Sequence, residues 1–207
     1  MNFENSRSFA KIMDQNDPLK LFREKFYYPK NGNNKNVIYF CGNSLGLQPK
    51  SVRKYVEKEL YVWEKDGVIG QHGRWEHFHE RVMDNTARLV GAEPSEVVVM
   101  NALTVNIHLL LVSFYQPNQN RNKVIIEKGA FPSDQYAIES QIKFHGFDPK
   151  SSLIELSPRK GEKTLRTQDV LDAVSEFNEE LSTIILGGVN YYTGQAFDMK
   201  SITEAGH

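Results

Sequence analysis

Val124-Ile125-Ile126, running on into Phe131-Pro132-Ser133-Asp134, is the stretch on which the fold turns. The first three residues form an apolar strand. The tetrad opens a helix predicted to reach about His145. A flat ring, a rigid proline, a capping hydroxyl and an acid thus meet at one strand-to-helix turn. Ligands of open α/β sheets bind at such turns, beyond the carboxyl ends of the strands. A similar turn precedes it. There Val97-Val98-Val99-Met100, read as a strand, runs into Asn101-Ala102-Leu103-Thr104 and then an apolar helix. The two turns together suggest a site for a flat, phosphorylated cofactor.

Working outward, strand and helix alternate from Val97 onward. Strands are predicted at 97–100, 123–126, 153–156 and 183–187, and helices at about 104–115, 133–145 and 167–178. Such alternation argues for a parallel sheet with helices on its faces. The helix from Val105 to Val112 is apolar nearly all round, which predicts burial rather than half exposure. Thr167 is the expected cap of the 167–178 helix. Ser201 and Glu204 read as a capping box for a last helix cut off at His207. A sheet ending there would keep an open edge, so the sequence reads as a fragment of a longer chain.

Before Val97 the pattern is helical. Phe9, Ile12 and Met13 share a face, and Asp17 before Pro18 predicts a second short helix. Val37 to Phe40 reads as a short strand, followed by the loop Gly42-Asn43-Ser44-Leu45-Gly46-Leu47. Pro49 is expected to start a helix with Val52, Tyr55, Val56, Leu60 and Trp63 as its stripe. Asp66-Gly67 breaks it. A further helix carries Trp75, Phe78, Val82 and Leu89 and stops at Gly91.

Composition narrows the function classes. The chain has 207 residues, 40% of them hydrophobic, and a net charge of −1. That suffices for one substantial core. The balance gives no electrostatic reason to expect nucleic acid or an anionic membrane. A lone cysteine, Cys41, leaves no internal disulfide and fits a reducing compartment. The start lacks a secretory pattern, and the longest apolar stretch is too short to span a bilayer. The expectation is a cytoplasmic protein.

Several side chains carry two readings each. Thr104 begins a helix after a strand, so its first-turn N–H groups form either an anion site or a simple cap. Phe131 is either a stacking surface or a core phenylalanine. Ser133 caps the helix on either reading, and Asp134 answers the helix dipole unless it faces the cofactor. His72, His77 and His79 lie near Glu76 and Glu80, but the i, i+4 spacing of a zinc helix is absent. No metal is expected. His72 stands apart in the loop Ile69-Gly70-Gln71-His72-Gly73, where a ring can reach a ligand. His108 reads as a core histidine. Tyr191-Tyr192-Thr193-Gly194-Gln195 is either part of the site or a surface turn around Gly194. Arg159, Lys160, Lys163 and Arg166 read as a solvated loop.

GNSLGLQP (Gly42 to Pro49), NALTVN (Asn101 to Asn106), FPSDQYAIESQ (Phe131 to Gln141) and YYTGQ (Tyr191 to Gln195) closely resemble kynureninase, particularly the eukaryotic kind. The similarity covers nearly the whole chain in order. It implies fold type I of the pyridoxal 5′-phosphate (PLP) enzymes, like aspartate aminotransferase. Residues 97–207 would be the first part of the large, PLP-binding domain. Residues 1–96 would be an N-terminal arm and helical segment contributing to the small domain and substrate pocket. The implied activity is hydrolytic Cβ–Cγ cleavage of L-kynurenine to anthranilate and L-alanine, and of 3-hydroxy-L-kynurenine to 3-hydroxyanthranilate and L-alanine. This belongs to tryptophan catabolism and NAD biosynthesis, in a homodimer. The resemblance implies that Leu103 and Thr104 hold the cofactor phosphate, and that Phe131 stacks on the pyridine. Pro132, Ser133 and Asp134 would complete that turn. Ser44 and His72 match positions lining the substrate pocket. Gly187 stands where the family often has a serine. The catalytic groups, above all the Schiff-base lysine, are expected beyond His207, so the 207-residue chain alone is expected to be inactive. The alternatives are another fold-type I enzyme, a cysteine desulfurase or aminotransferase, or a non-catalytic truncated product that pairs with full-length subunits.

Overall fold

A computed structural model describes residues 3–207. The chain divides into two units, Met1–Val98 and Val99–His207.

The first unit is helical. Helix α1 (Arg7–Asn16) is capped by Ser6, whose side chain accepts from the Phe9 N–H. The second expected helix is a short 3-10 stretch, Lys20–Lys25. Asp17 does not cap it. Its carboxylate accepts from the Leu19 N–H at 2.8 Å, closing a local turn instead. Val37 to Phe40 forms no strand, and Ile38 and Phe40 stand 85% and 88% exposed. An apolar run needs a partner ladder to become a strand, and this one has none among the described residues. Helix α2 (Val52–Asp66) starts three residues after Pro49. Its apolar stripe lies exposed at Tyr55, Val56, Leu60 and Trp63, whereas Val52, Glu59 and Val62 face inward. The single helix expected after Gly67 is three pieces: a π-turn at Gln71–Trp75, a 3-10 turn at His79–Val82, and α3 (Met83–Val90). Gly91 ends α3 in the left-handed region, φ 74°. Only Gly70 and Ala87 are buried among the described residues of this unit.

The second unit holds the core. Helix α4 (Leu103–Phe114) leads to β1 (Lys123–Glu127), α5 (Pro132–Phe144), short α6 (Pro149–Ser152), β2 (Leu153–Leu156), α7 (Thr167–Phe177), β3 (Leu181–Ile185) and α8 (Met199–Gly206). The three strands form the expected parallel sheet, in the order β2-β1-β3. The central strand is buried on both faces, which explains its unbroken apolar run. Val124 and Ile126 pack with Leu111 and Tyr115 of the α4 end and with Ala137, Ile138 and Ile142 of α5. Ile125 points the other way, onto Ala173 and Val174 of α7. Tyr115 donates its hydroxyl to the Asn122 carbonyl at 3.0 Å, and burial pushes its phenol up to about 12.

Three expectations fail here for local reasons. Val97–Met100 is no strand, because no neighbour offers it a ladder among the described residues; Val98, Val99 and Met100 are 58%, 44% and 41% exposed. Helix α4 is not enclosed. Leu111 is buried, but Val105, Leu110, Val112 and Phe114 face outward, since only one side of α4 meets α5. Cap positions also shift. Arg166, not Thr167, precedes α7. Asp198, not Ser201, caps α8, accepting the Ser201 N–H at 3.1 Å and its hydroxyl at 2.7 Å. Among the described residues no helix is long and apolar enough to cross a membrane.

Candidate functional site

The site is built at the carboxyl end of β1. Pro132 takes the first helical position of α5, so Phe131 becomes the N-cap residue, φ −58° and ψ 132°. This frame moves Ser133 into the first turn, where it cannot cap. Its hydroxyl donates to Asp134 Oδ1 at 3.0 Å instead. The Phe131 ring is 51% exposed, so it is not a core phenylalanine. It meets the Tyr191 ring edge to face, with ring centres 5.3 Å apart and planes at 80°. Such T-shaped contacts hold a ring in one orientation. The second face candidate, YYTGQ, is therefore joined to the first.

Helix α4 begins at Leu103, one residue earlier than expected, with Ala102 as N-cap residue. Alanine offers no acceptor, and no side chain caps this helix. The first-turn N–H groups at Leu103, Thr104 and Val105 therefore have neither a helical partner nor a side-chain cap. Asn106 donates to the Met100 carbonyl at 3.3 Å, while its Oδ1 is buried without a partner among the described residues. The two helix starts lie at the same end of the sheet. Helices α4 and α5 pack together, and Tyr115 and His145, at their two C-caps, touch at 5.5 Å between ring centres. Helices packed side by side with adjoining C-termini have their N-termini at a common end.

The YYTGQ turn is pinned rather than loose. Asn190 Oδ1 accepts from the Tyr192 and Thr193 N–H groups at 2.9 and 2.8 Å. Gln195 exchanges two hydrogen bonds with the Leu165 backbone, at 2.9 and 2.5 Å. Gly194, at φ 73°, permits the turn between them. The sequence reading missed Glu127 and Asn190. Glu127 is buried at the end of β1 and accepts from Asn190 Nδ2 at 2.7 Å. An acid closing a strand that is otherwise apolar was the available signal.

Ser44 and His72 both belong to the first unit and both are exposed. Ser44 sits in a turn, its N–H donating to the Cys41 carbonyl at 3.0 Å. His72 rides on the π-turn, a geometry that recurs at functional sites. A clamp holds that turn onto α2. Glu59 accepts from Arg74 Nε and Nη2 at 2.7 and 2.5 Å, and from Trp75 Nε1 at 3.0 Å. The Arg74 hydrogen bonds, against the opposing effect of burial, hold the Glu59 carboxyl down at about 2. A carboxyl depressed in the folded state contributes stability that is complete above its unfolded value, here 4.5, and lost as pH falls through about 2. Glu59→Gln is therefore expected to lower stability at pH 6 and to match the parent near pH 2. Acid titrations of both, followed by circular dichroism, check this; a constant difference over that range would contradict it.

No cluster of histidine, cysteine and acids suited to a metal occurs among the described residues. His77 pairs with Glu80 at 2.9 Å, which raises its pKa. The basic loop is solvated and paired: Arg159 meets Asp169 at 2.6 Å, and Arg166 meets Glu162. Both acids are thereby held below the usual carboxylate range.

No protein-family model matches the chain. Individual relatives do. Over 208 residues it is 51% identical to a kynureninase of Myxococcus xanthus, covering 99% of this chain and 49% of that protein. Over 209 residues it is 54% identical to a kynureninase of Koribacter versatilis, with 99% and 49% covered. Across nearly its whole length, the chain is similar in sequence to kynureninases. It spans about half the length of the curated relatives it matches. Although the motifs resemble the eukaryotic kind, identity to the kynureninase of Rattus norvegicus is lower, 44% over 209 residues, with 94% and 45% covered. The fold has an independent match. A lysine-to-alanine variant of C-DES, solved with glycine covalently linked to its PLP cofactor, superposes with a TM-score of 0.66 at 12% identity. It covers 88% of this chain and 45% of that one. Similarity to kynureninases in sequence and this α/β fold therefore coincide in one chain.

Proposed function

We propose that the full-length protein carrying this chain is a PLP-dependent kynureninase. It would cleave the Cβ–Cγ bond of L-kynurenine hydrolytically, giving anthranilate and L-alanine, and treat 3-hydroxy-L-kynurenine likewise. The observation that carries this is 51% identity to a kynureninase across 99% of the chain. The local geometry supports it, because an uncapped helix start and a half-exposed ring at the same end of a sheet suit a phosphorylated flat cofactor. When bound, PLP supplies an electron sink for carbanion chemistry at the substrate α-carbon.

In this reading the first-turn N–H groups at Leu103 and Thr104 bind the phosphate. Phe131 offers its open face to the pyridine. Pro132 fixes the backbone beneath that ring. Ser133 orients Asp134 through their hydrogen bond, and Asp134 lies beside the cofactor. Ser44 and His72 line the substrate pocket. The protein acts as a cytoplasmic homodimer, residues 1–96 serving substrate binding and 97–207 cofactor binding.

The test is direct. The full-length protein, loaded with PLP, is mixed with L-kynurenine and anthranilate fluorescence is followed. Release of anthranilate with equimolar alanine supports the reading. Desulfuration or transamination without anthranilate would replace it with another fold-type I activity, and no turnover of any of these would favour a non-catalytic role.

Gly187 gives a smaller test. A Cβ built there meets the Val189 backbone, its carbonyl oxygen nearest at 3.4 Å, an ordinary contact. Gly187→Ser is expected to fold normally and to bind PLP several-fold more tightly, since one added hydrogen bond is worth about 1 kcal/mol. Equilibrium dialysis checks it, and unchanged affinity would remove Gly187 from the cofactor's surroundings.

A further inference from the structure

Glu127 is a buried acid for which the proposed reaction has no task. It ends β1, 8% exposed, four residues before Phe131. Its partner comes from far along the chain: Asn190 Nδ2 donates to Glu127 Oε2 at 2.7 Å. The other end of the same amide organises the turn that follows. Asn190 Oδ1 accepts from Tyr192 N–H, from Thr193 N–H and, at 3.0 Å, from the Thr193 hydroxyl. The Asn190 backbone closes the turn through Gln195 and Gly194, at 2.8 and 3.0 Å. The neighbouring residue is Tyr191, whose ring makes a T-shaped contact with Phe131. One continuous path therefore runs from a buried carboxylate, through an amide with every polar atom engaged, to the stacking ring.

We infer that Glu127 is a positioning residue for the Phe131 ring, acting through Asn190 and Tyr191. Buried hydrogen bonds hold geometry because leaving either partner unpaired is costly. Losing the Glu127 acceptor strands the Asn190 amide and frees the turn to shift. Tyr191 then no longer fixes the ring. The consequence for cofactor binding rests on the proposed PLP site, whereas the placement of the ring does not.

The experiment uses the full-length protein with PLP as the probe. Glu127→Ala is expected to weaken PLP binding roughly tenfold. Glu127→Gln, which keeps an oxygen acceptor, should stay within about twofold of the parent. Should Glu127→Ala fail to fold, Asn190→Asp serves. It keeps the three bonds accepted by Oδ1 and, in place of the bond donated to Glu127, sets a second carboxylate oxygen against it, so the pairing gives way to like-charge repulsion. Each variant is repeated in a Phe131→Ala background. There the Glu127 effect should shrink to less than about twofold, because the ring it positions is gone. An effect that persists in full without the ring, a glutamine variant as weak as alanine, or unchanged binding in Glu127→Ala would each overturn the inference. If the parent itself takes up no PLP, the functional reading fails instead. A crystal structure of Glu127→Ala apoprotein then decides: a Phe131 ring moved off Tyr191 sustains the inference, and an unmoved ring ends it.

Discussion

Replacing Ile126 by alanine is expected to destabilise the second unit by about 3 kcal/mol. Ile126 is 1% exposed at the centre of the sheet, between β2 and β3, and packs within the cluster of α4 and α5. Its truncation removes the transfer energy of the lost carbons. It also leaves a cavity, because the neighbours Ile138 and Ile142 sit on a helix that cannot collapse inward past the flanking strands. An equal truncation at Ile38, which is 85% exposed, should change stability by less than about 0.5 kcal/mol. Urea unfolding of the two variants measures the contrast. The midpoint should fall for Ile126→Ala with little change in slope. A loss below about 1 kcal/mol would mean that β1 is not the centre of the core. The same substitution should reach the site indirectly, since Glu127 and the turn to Phe131 continue directly from this strand.

The elements around β1 were legible because their signals are local. Val124-Ile125-Ile126 is apolar without alternation, as a strand buried on both faces must be. In α7 the inward residues Val170 and Val174 stand four apart, a spacing visible in the sequence itself, and Pro132 marks the start of α5. Val97–Met100 and Val37–Phe40 carry the same local signal yet form no strand, since pairing depends on a neighbour that a local pattern does not describe. Helix caps failed in a consistent way. Ser133 and Thr167 are good capping types, but each sits one or two residues inside its helix, where Phe131 and Arg166 fix the frame. At the site, FPSD and YYTGQ were each visible as turns. Their union was not. The Glu127–Asn190 bond spans 63 residues, and such a contact has no trace in a single sequence. The Glu59 clamp on the His72 turn escaped for the same reason, as α2's inward face is polar at that point.

Thr104→Asp is expected to separate cofactor binding from folding more sharply than any other single change. Thr104 is the second residue of α4, and the helix start has no side-chain cap. An aspartate there places a carboxylate near N–H groups with no helical partner. That suits the positive end of the helix dipole, so α4 should gain about 0.5 kcal/mol and the melting temperature should hold or rise. A phosphate bound by those N–H groups meets the opposite effect. Two unit charges about 4 Å apart repel by roughly 4 kcal/mol at the effective dielectric of a protein surface. Solvent and salt reduce that figure, so PLP affinity should fall roughly a hundredfold, and less at high ionic strength. Thr104→Ser, which keeps the hydroxyl, should bind within about threefold of the parent. Stability and affinity would thus move in opposite directions at one residue. Overpacking or misfolding would lower both together. A Thr104→Asp protein that is as stable as the parent and binds PLP equally well would show that the phosphate sits elsewhere, and the start of α4 would revert to an ordinary, merely uncapped helix end.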